Sequence, residues 1–170
     1  MRFILAAMAC GCLISSAAAQ TPKLDELPAA LKPAGLSVYL EVPATGVQIY
    51  TCGKNDAGAP TWVFKAPEAQ LFDTAKKQIG KHYAGPTWEA LAGGKVVGAV
   101  KANAPAPETG AIAWLLLDIK SSEGAGAFNQ ARGILRVATH GGVAPKEGCD
   151  AAHAGQEARV PYTATYLFLK

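Results

Sequence analysis

A chain of 170 residues, half of them hydrophobic and only 17% charged, carries enough apolar side chain for one self-sufficient core, a balance that excludes an intrinsically disordered protein. The formal net charge of +3 is small and the lysines are scattered. That excludes the concentrated basic surface on which nucleic-acid binding depends, so no nucleic-acid partner is expected.

The first residues read as an address. Arg2 precedes the apolar run Phe3 to Ile14, and Ala17-Ala18-Ala19 has the small-x-small form of a cleavage site. This predicts a signal peptide over 1–19, a mature start at Gln20 and a secreted or periplasmic location. Cys10 and Cys12 raise the alternative of a lipoprotein, against which stand Ala7-Met8-Ala9 before Cys10 and the apolar run continuing past it. No later stretch of 18 apolar residues follows, so no membrane-spanning helix is expected. Removing the segment leaves Cys52 and Cys149 as the mature cysteines. In an oxidising compartment they are expected to pair, the alternative being two buried thiols.

Residues 20–35 form an extended lead-in broken by Pro22, Pro28 and Pro33, and 36–170 read as one β domain. Leu36, Val38, Leu40 and Val42 alternate with polar neighbours until Pro43, which is expected to stop the strand. Gly46 to Cys52 gives a second strand, and Gly53 to Gly58 is turn chemistry. Trp62, Phe64 and Ala66 share a face of a third. Pro67 to Asp73 is read as irregular in preference to a short helix. Gly80-Lys81-His82-Tyr83-Ala84-Gly85-Pro86-Thr87-Trp88-Glu89 is the densest chemistry in the chain, two short runs around a Gly-Pro bend. Alternation sends His82 and Tyr83 to opposite faces, and Trp88 and Glu89 likewise.

Ala92-Gly93-Gly94 turns into a strand over 95–101, Asn103 to Gly110 is a loop, and Ile112 to Leu117 reads as a strand buried on both faces. Ser121 to Gly126 has flexible-loop composition. Phe128 to Arg132 allows one helical turn before a strand over Ile134, Leu135 and Val137. In the last strand Val160, Tyr162, Ala164, Tyr166 and Phe168 face one way. About eight short strands with at most one or two helical turns predict an all-β barrel or sandwich, with order and closure left open.

The runs Gly46 to Cys52, Ala66-Pro67-Glu68-Ala69 with Leu71, Gly80 to Glu89, Trp114 to Leu117, Arg136 through Pro145 with Cys149, and Pro161 to Tyr166 resemble the uncharacterised secreted family known as domain of unknown function 3455. The resemblance covers nearly all of the mature chain and implies neither activity nor ligand. Some members carry a malate dehydrogenase label, which this sequence does not support: Gly124-Ala125-Gly126-Ala127-Phe128-Asn129 lacks the third glycine of a dinucleotide loop and has no βαβ context. The sequence departs from the family pattern in the turn Ala92-Gly93-Gly94, where a polar side chain is usual, and at His140.

The common nucleophile, zinc and phosphate-loop motifs are absent, and no cofactor is expected. His82, His140 and His153 have no ligand spacing between them, so no metal is expected either. His82 and Glu89 could form an acid/base pair at the rim of one opening, or His82 could simply fix the turn. Trp88 is read as a packing anchor, with a stacking platform as the alternative. Trp62 and Trp114 are read as core. His82, Tyr83, Trp88, Glu89 and His140 are therefore the candidate ligand-binding residues. The favoured function is an exported, non-enzymatic module that binds a small molecule, glycan or envelope component. The alternatives are a hydrolase or isomerase using His82 and Glu89, and a structural or stress-related envelope protein without ligand.

Overall fold

The computed structural model describes residues 21–170, so the expected signal peptide, its cleavage site, Cys10 and Cys12 lie outside the described residues. Eight strands follow one another: β1 Val38–Lys54, β2 Pro60–Phe72, β3 Gln78–Tyr83, β4 Thr87–Ala90, β5 Lys95–Ala104, β6 Trp114–Glu123, β7 Gly133–Gly141 and β8 Glu157–Leu169. Each pairs antiparallel with the next, and β1 pairs with β8 to close an up-and-down barrel. Closure removes the unpaired edges that an open sheet would expose.

Alternation along each strand divides the apolar residues between two cores. Tyr162, Ala164, Tyr166 and Phe168 of β8 point into the barrel, where they meet Val42, Leu71, Trp88, Val96, Leu117 and Ile134. The residues between them, Leu167 and Leu169, point outward with Trp114, Leu116, Leu135 and Val137. That outer face is covered by Leu27, which follows the short 3-10 turn Leu24–Glu26, and by Leu31 of the next such turn, Ala29–Leu31, with Pro28 between the two. The lead-in thus supplies the second layer, and the Trp114–Leu117 stretch of β6 is covered on both faces as its composition requires, while the rest of the strand runs out to the surface.

Several local expectations are corrected. Pro43 does not stop a strand: β1 runs through it, because pairing with β2 begins only at Ala44 and a missing donor is tolerated on an unpaired side. The segment from Pro67 is not irregular but continues β2 to Phe72. A bulge leaves Lys65 without a partner just before Pro67, the setting in which a strand accepts proline. Ser121 to Glu123 extend β6 by pairing with Lys95 to Val97, although their composition suits a loop. Trp62 is half-buried rather than core, its indole donating to the Glu147 carbonyl at 2.9 Å.

One end of the barrel is shut. The 3-10 turn Ala127–Gln130 places Phe128 inside, stacked on Phe168 at 4.6 Å between ring centroids. Tyr39 donates to the Ala127 carbonyl at 2.7 Å, and Asn129 Nδ2 donates to Ser122 Oγ and the Glu123 carbonyl. Gly80 makes room for this plug, since a Cβ there would stand 2.6 Å from the Glu89 carbonyl oxygen and 3.0 Å from the Phe128 ring. Beyond the other end, the Cys52–Cys149 disulfide ties the β7–β8 connection to β1, with a Cα–Cα distance of 5.3 Å. Tyr50 supports the same connection by donating to the Gly142 carbonyl at 2.7 Å.

Candidate functional site

The β3–β4 hairpin pairs His82 with Trp88 and Lys81 with Glu89, turning at Gly85, whose φ of 93° is the left-handed region glycine enters freely. The pairing decides the chemistry. His82 and Trp88 enter the barrel, while Lys81, Tyr83 and Glu89 stand on the outer face. There Tyr83 donates to Glu89 Oε2 at 2.7 Å and Lys81 Nζ lies 3.4 Å from the same oxygen. The Tyr83 hydrogen bond, with Lys81 in support, holds the Glu89 carboxyl below its usual range, and the same bond raises the Tyr83 phenol. The expectation that His82 and Glu89 meet at one rim is overturned, because cross-strand neighbours of adjacent register face opposite sides of the sheet.

Inside, His82 is 2% exposed. Its Nδ1 lies 2.8 Å from the Thr87 carbonyl, which can only accept, so the ring carries its proton on Nδ1 and its lone pair on Nε2. Burial pushes the imidazole down to about 3, with the Thr87 bond opposing and the Arg136 charge adding to the shift. The ring is neutral at physiological pH. It stacks on Trp88 at 4.4 Å with 25° between planes and tilts against Tyr166 at 4.9 Å. Trp88 meets Tyr166 edge-on at 5.3 Å, and its buried Nε1 has no partner among the described residues. Burial also raises the Tyr166 phenol well above its ordinary value. Gly98 permits this packing, since a Cβ there would stand 3.0 Å from the Trp88 ring and 3.1 Å from Leu117.

Above these rings a cavity of about 170 Å³ opens at the end opposite Phe128. His82, Trp88, Leu115, Leu117 and Tyr166 form its walls, and Phe64, Pro86 and Val100 its mouth. Arg136 also lines it. This residue sits at an inward position of β7, opposite Leu115 and Tyr166, and donates through Nε and Nη2 to the Ala113 carbonyl at 3.1 and 2.8 Å. Among the described residues it makes no ion pair. A shallower cavity of about 370 Å³ adjoins the first, sharing Phe64, Leu115 and Arg136 and adding Gln48, Tyr50, Ile112 and Val143. Phe64, Val100 and Val143 are 52%, 55% and 46% exposed, which concentrates apolar surface around the two openings.

Of the candidates from sequence, the structure brings His82 and Trp88 together in the cavity and puts Tyr83 and Glu89 on the far side of the sheet wall. His140 lies outside both cavities, half-exposed and paired with Glu108. His153 pairs with Asp150 at 2.6 Å, in the turn that Asp150 caps. Sequence reasoning missed Arg136, Tyr166 and Gln48. A signal for the first was present: Arg136 interrupts the apolar run Ile134-Leu135-Arg136-Val137 at the phase of Ile134, so a cation had to enter wherever Ile134 pointed.

No curated protein matches the chain. Residues 33–170 match the family described as Protein of unknown function (DUF3455), a span that takes in the last residues of the lead-in, all eight strands, both cavities and the disulfide. With its barrel, plug and cavity residues all inside that match, the chain belongs to the DUF3455 family.

Proposed function

We propose that this protein is an exported, non-enzymatic binding module that holds a small molecule in the open end of its barrel. The observation that carries the proposal is the cavity itself: a concave, mainly apolar and aromatic site with a few convergent polar groups is the usual form of a ligand pocket. A barrel filled at both ends would favour a purely structural role instead. The size suits one ring, since an apolar cavity of about 150 Å³ accommodates benzene. The apolar walls favour a small, largely hydrophobic molecule over a glycan.

The enzyme alternative loses its support. No carboxylate, serine, threonine or cysteine lines the inner cavity, so neither an acid/base pair nor an activated nucleophile is assembled beside His82. Lys65, which does line it, is bound to Glu157 at 2.5 Å. The disulfide is compatible with export to an oxidising compartment, and among the described residues no helix is long and apolar enough to cross a membrane.

Native mass spectrometry of protein purified gently from its source tests the proposal. A bound small molecule is expected in wild type and should be absent in Val100→Trp, which fills the mouth from an exposed position. Identical bare spectra from both, with no thermal shift across a library of ring compounds, would remove the binding reading.

A further inference from the structure

Resting on that binding reading, and deepening it, we infer that the ligand is a small carboxylate carried on an aromatic or similarly flat apolar body. Its ring lies in the inner cavity and its charge meets Arg136 where the two cavities adjoin. The first observation is the placement of Arg136. A guanidinium is always charged, and a half-buried one with no anion beside it offers its free N–H groups to one. Arg136 lines both cavities, spends part of its donor fork on the Ala113 carbonyl, and has no carboxylate partner among the described residues.

The second observation is independent. Gln48, also lining the outer cavity, is 2% exposed; its Nε2 completes no hydrogen bond of normal geometry among the described residues, although the amide lies close enough to the Tyr162 phenol to oppose the upward shift that burial gives it. A buried donor left unmet is unusual and calls for an acceptor. Third, neither cavity is lined by any aspartate or glutamate, and of the two cations on the walls Lys65 is already engaged by Glu157, which leaves Arg136 as the charge open to a ligand. Those walls disfavour an amine and favour an anion.

Each dimension of the ligand then follows from a wall. Trp88, Tyr166 and neutral His82 offer ring faces and edges in a space of about 170 Å³, the scale of one aromatic ring. Arg136 at the junction offers remaining N–H groups to a carboxylate, a pairing that is charge-assisted and directional. The carboxylate's other lone pairs are left toward the outer cavity and Gln48. A phosphate ester would present more charge than one guanidinium and one amide can satisfy.

The test is calorimetric titration of the purified, oxidised protein with benzoate, 4-hydroxybenzoate and cinnamate, each compared with its own primary amide. The acid of at least one pair should bind at least about tenfold more tightly than its amide. Arg136→Met should erase that preference by weakening the acid far more than the amide, and Gln48→Leu should weaken the acid severalfold. Equal binding of acids and amides, or an acid preference that survives in Arg136→Met, would overturn the carboxylate assignment and leave the cavity reading standing. No binding by either series would overturn both. Should Arg136→Met fail to fold, the wild-type acid-amide comparison and Gln48→Leu still decide.

Discussion

Lowering the pH from about 7.5 to about 5 should destabilise the barrel through His82 by roughly 2 kcal/mol. The imidazole is held at about 3 in the folded protein and returns to 6.5 when unfolded, so protons bind the unfolded chain preferentially between those values. The sign is fixed by that order. Stability from this group is fully present above 6.5 and is lost as pH falls toward about 3. At 1.36 kcal/mol per pH unit, the interval from 6.5 to 5 gives the figure of about 2 kcal/mol. The group is fully enclosed between Trp88, Tyr166 and the Thr87 carbonyl, so little solvent screening reduces the effect. The assay is urea unfolding at both pH values for wild type and His82→Asn, whose amide can still donate to the Thr87 carbonyl. His140 and His153 remain in both proteins, so their contributions cancel in the difference. An equal loss of stability in the two proteins would refute the assignment of a buried, neutral imidazole.

Trp88→Ala should cost roughly 3 to 5 kcal/mol, the usual range for deleting a buried aromatic, read from the urea midpoint. Glu89→Gln should leave the urea midpoint nearly unchanged, because its partners are on the solvent face, and should leave ligand retention intact. A lost ligand in Glu89→Gln would revive a role for that carboxylate. Reducing the disulfide, which closes a loop across a sequence separation of 97 residues, should lower the melting temperature, corresponding to a loss of up to about 4.7 kcal/mol. An unchanged melting temperature after complete reduction, confirmed by thiol titration, would show that the tie contributes nothing to stability.

Period-2 alternation made the strands legible wherever one face is polar, as in β8, and the cysteine pair was legible from compartment and count. Prolines misled. Pro43 and Pro67 look like strand breakers in sequence, yet each occupies a place where a donor is not required, which depends on a neighbouring strand far away in the chain. The site was half legible for a similar reason. Alternation separates His82 from Tyr83 and Trp88 from Glu89, but only the register of the hairpin says that His82 goes with Trp88. A one-residue slip in that register would have put His82 and Glu89 on the same face. Arg136 could be seen to share a face with Ile134, while the identity of that face as the barrel interior required closure of β1 on β8.

The Phe128 plug makes the barrel a blind receptacle rather than a conduit. Whatever enters past Phe64 and Val100 meets Trp88 and Tyr166, behind which Phe168 and Phe128 fill the barrel, and must leave by the doorway it used. An occupant with its charged end at Arg136 would therefore enter body first and withdraw charge first, so a second molecule could not push it through from behind. Exchange is confined to waiting for departure. Such a geometry suits custody, in which one molecule is held apart from its surroundings, and is unsuited to relaying material from one side of an envelope to the other.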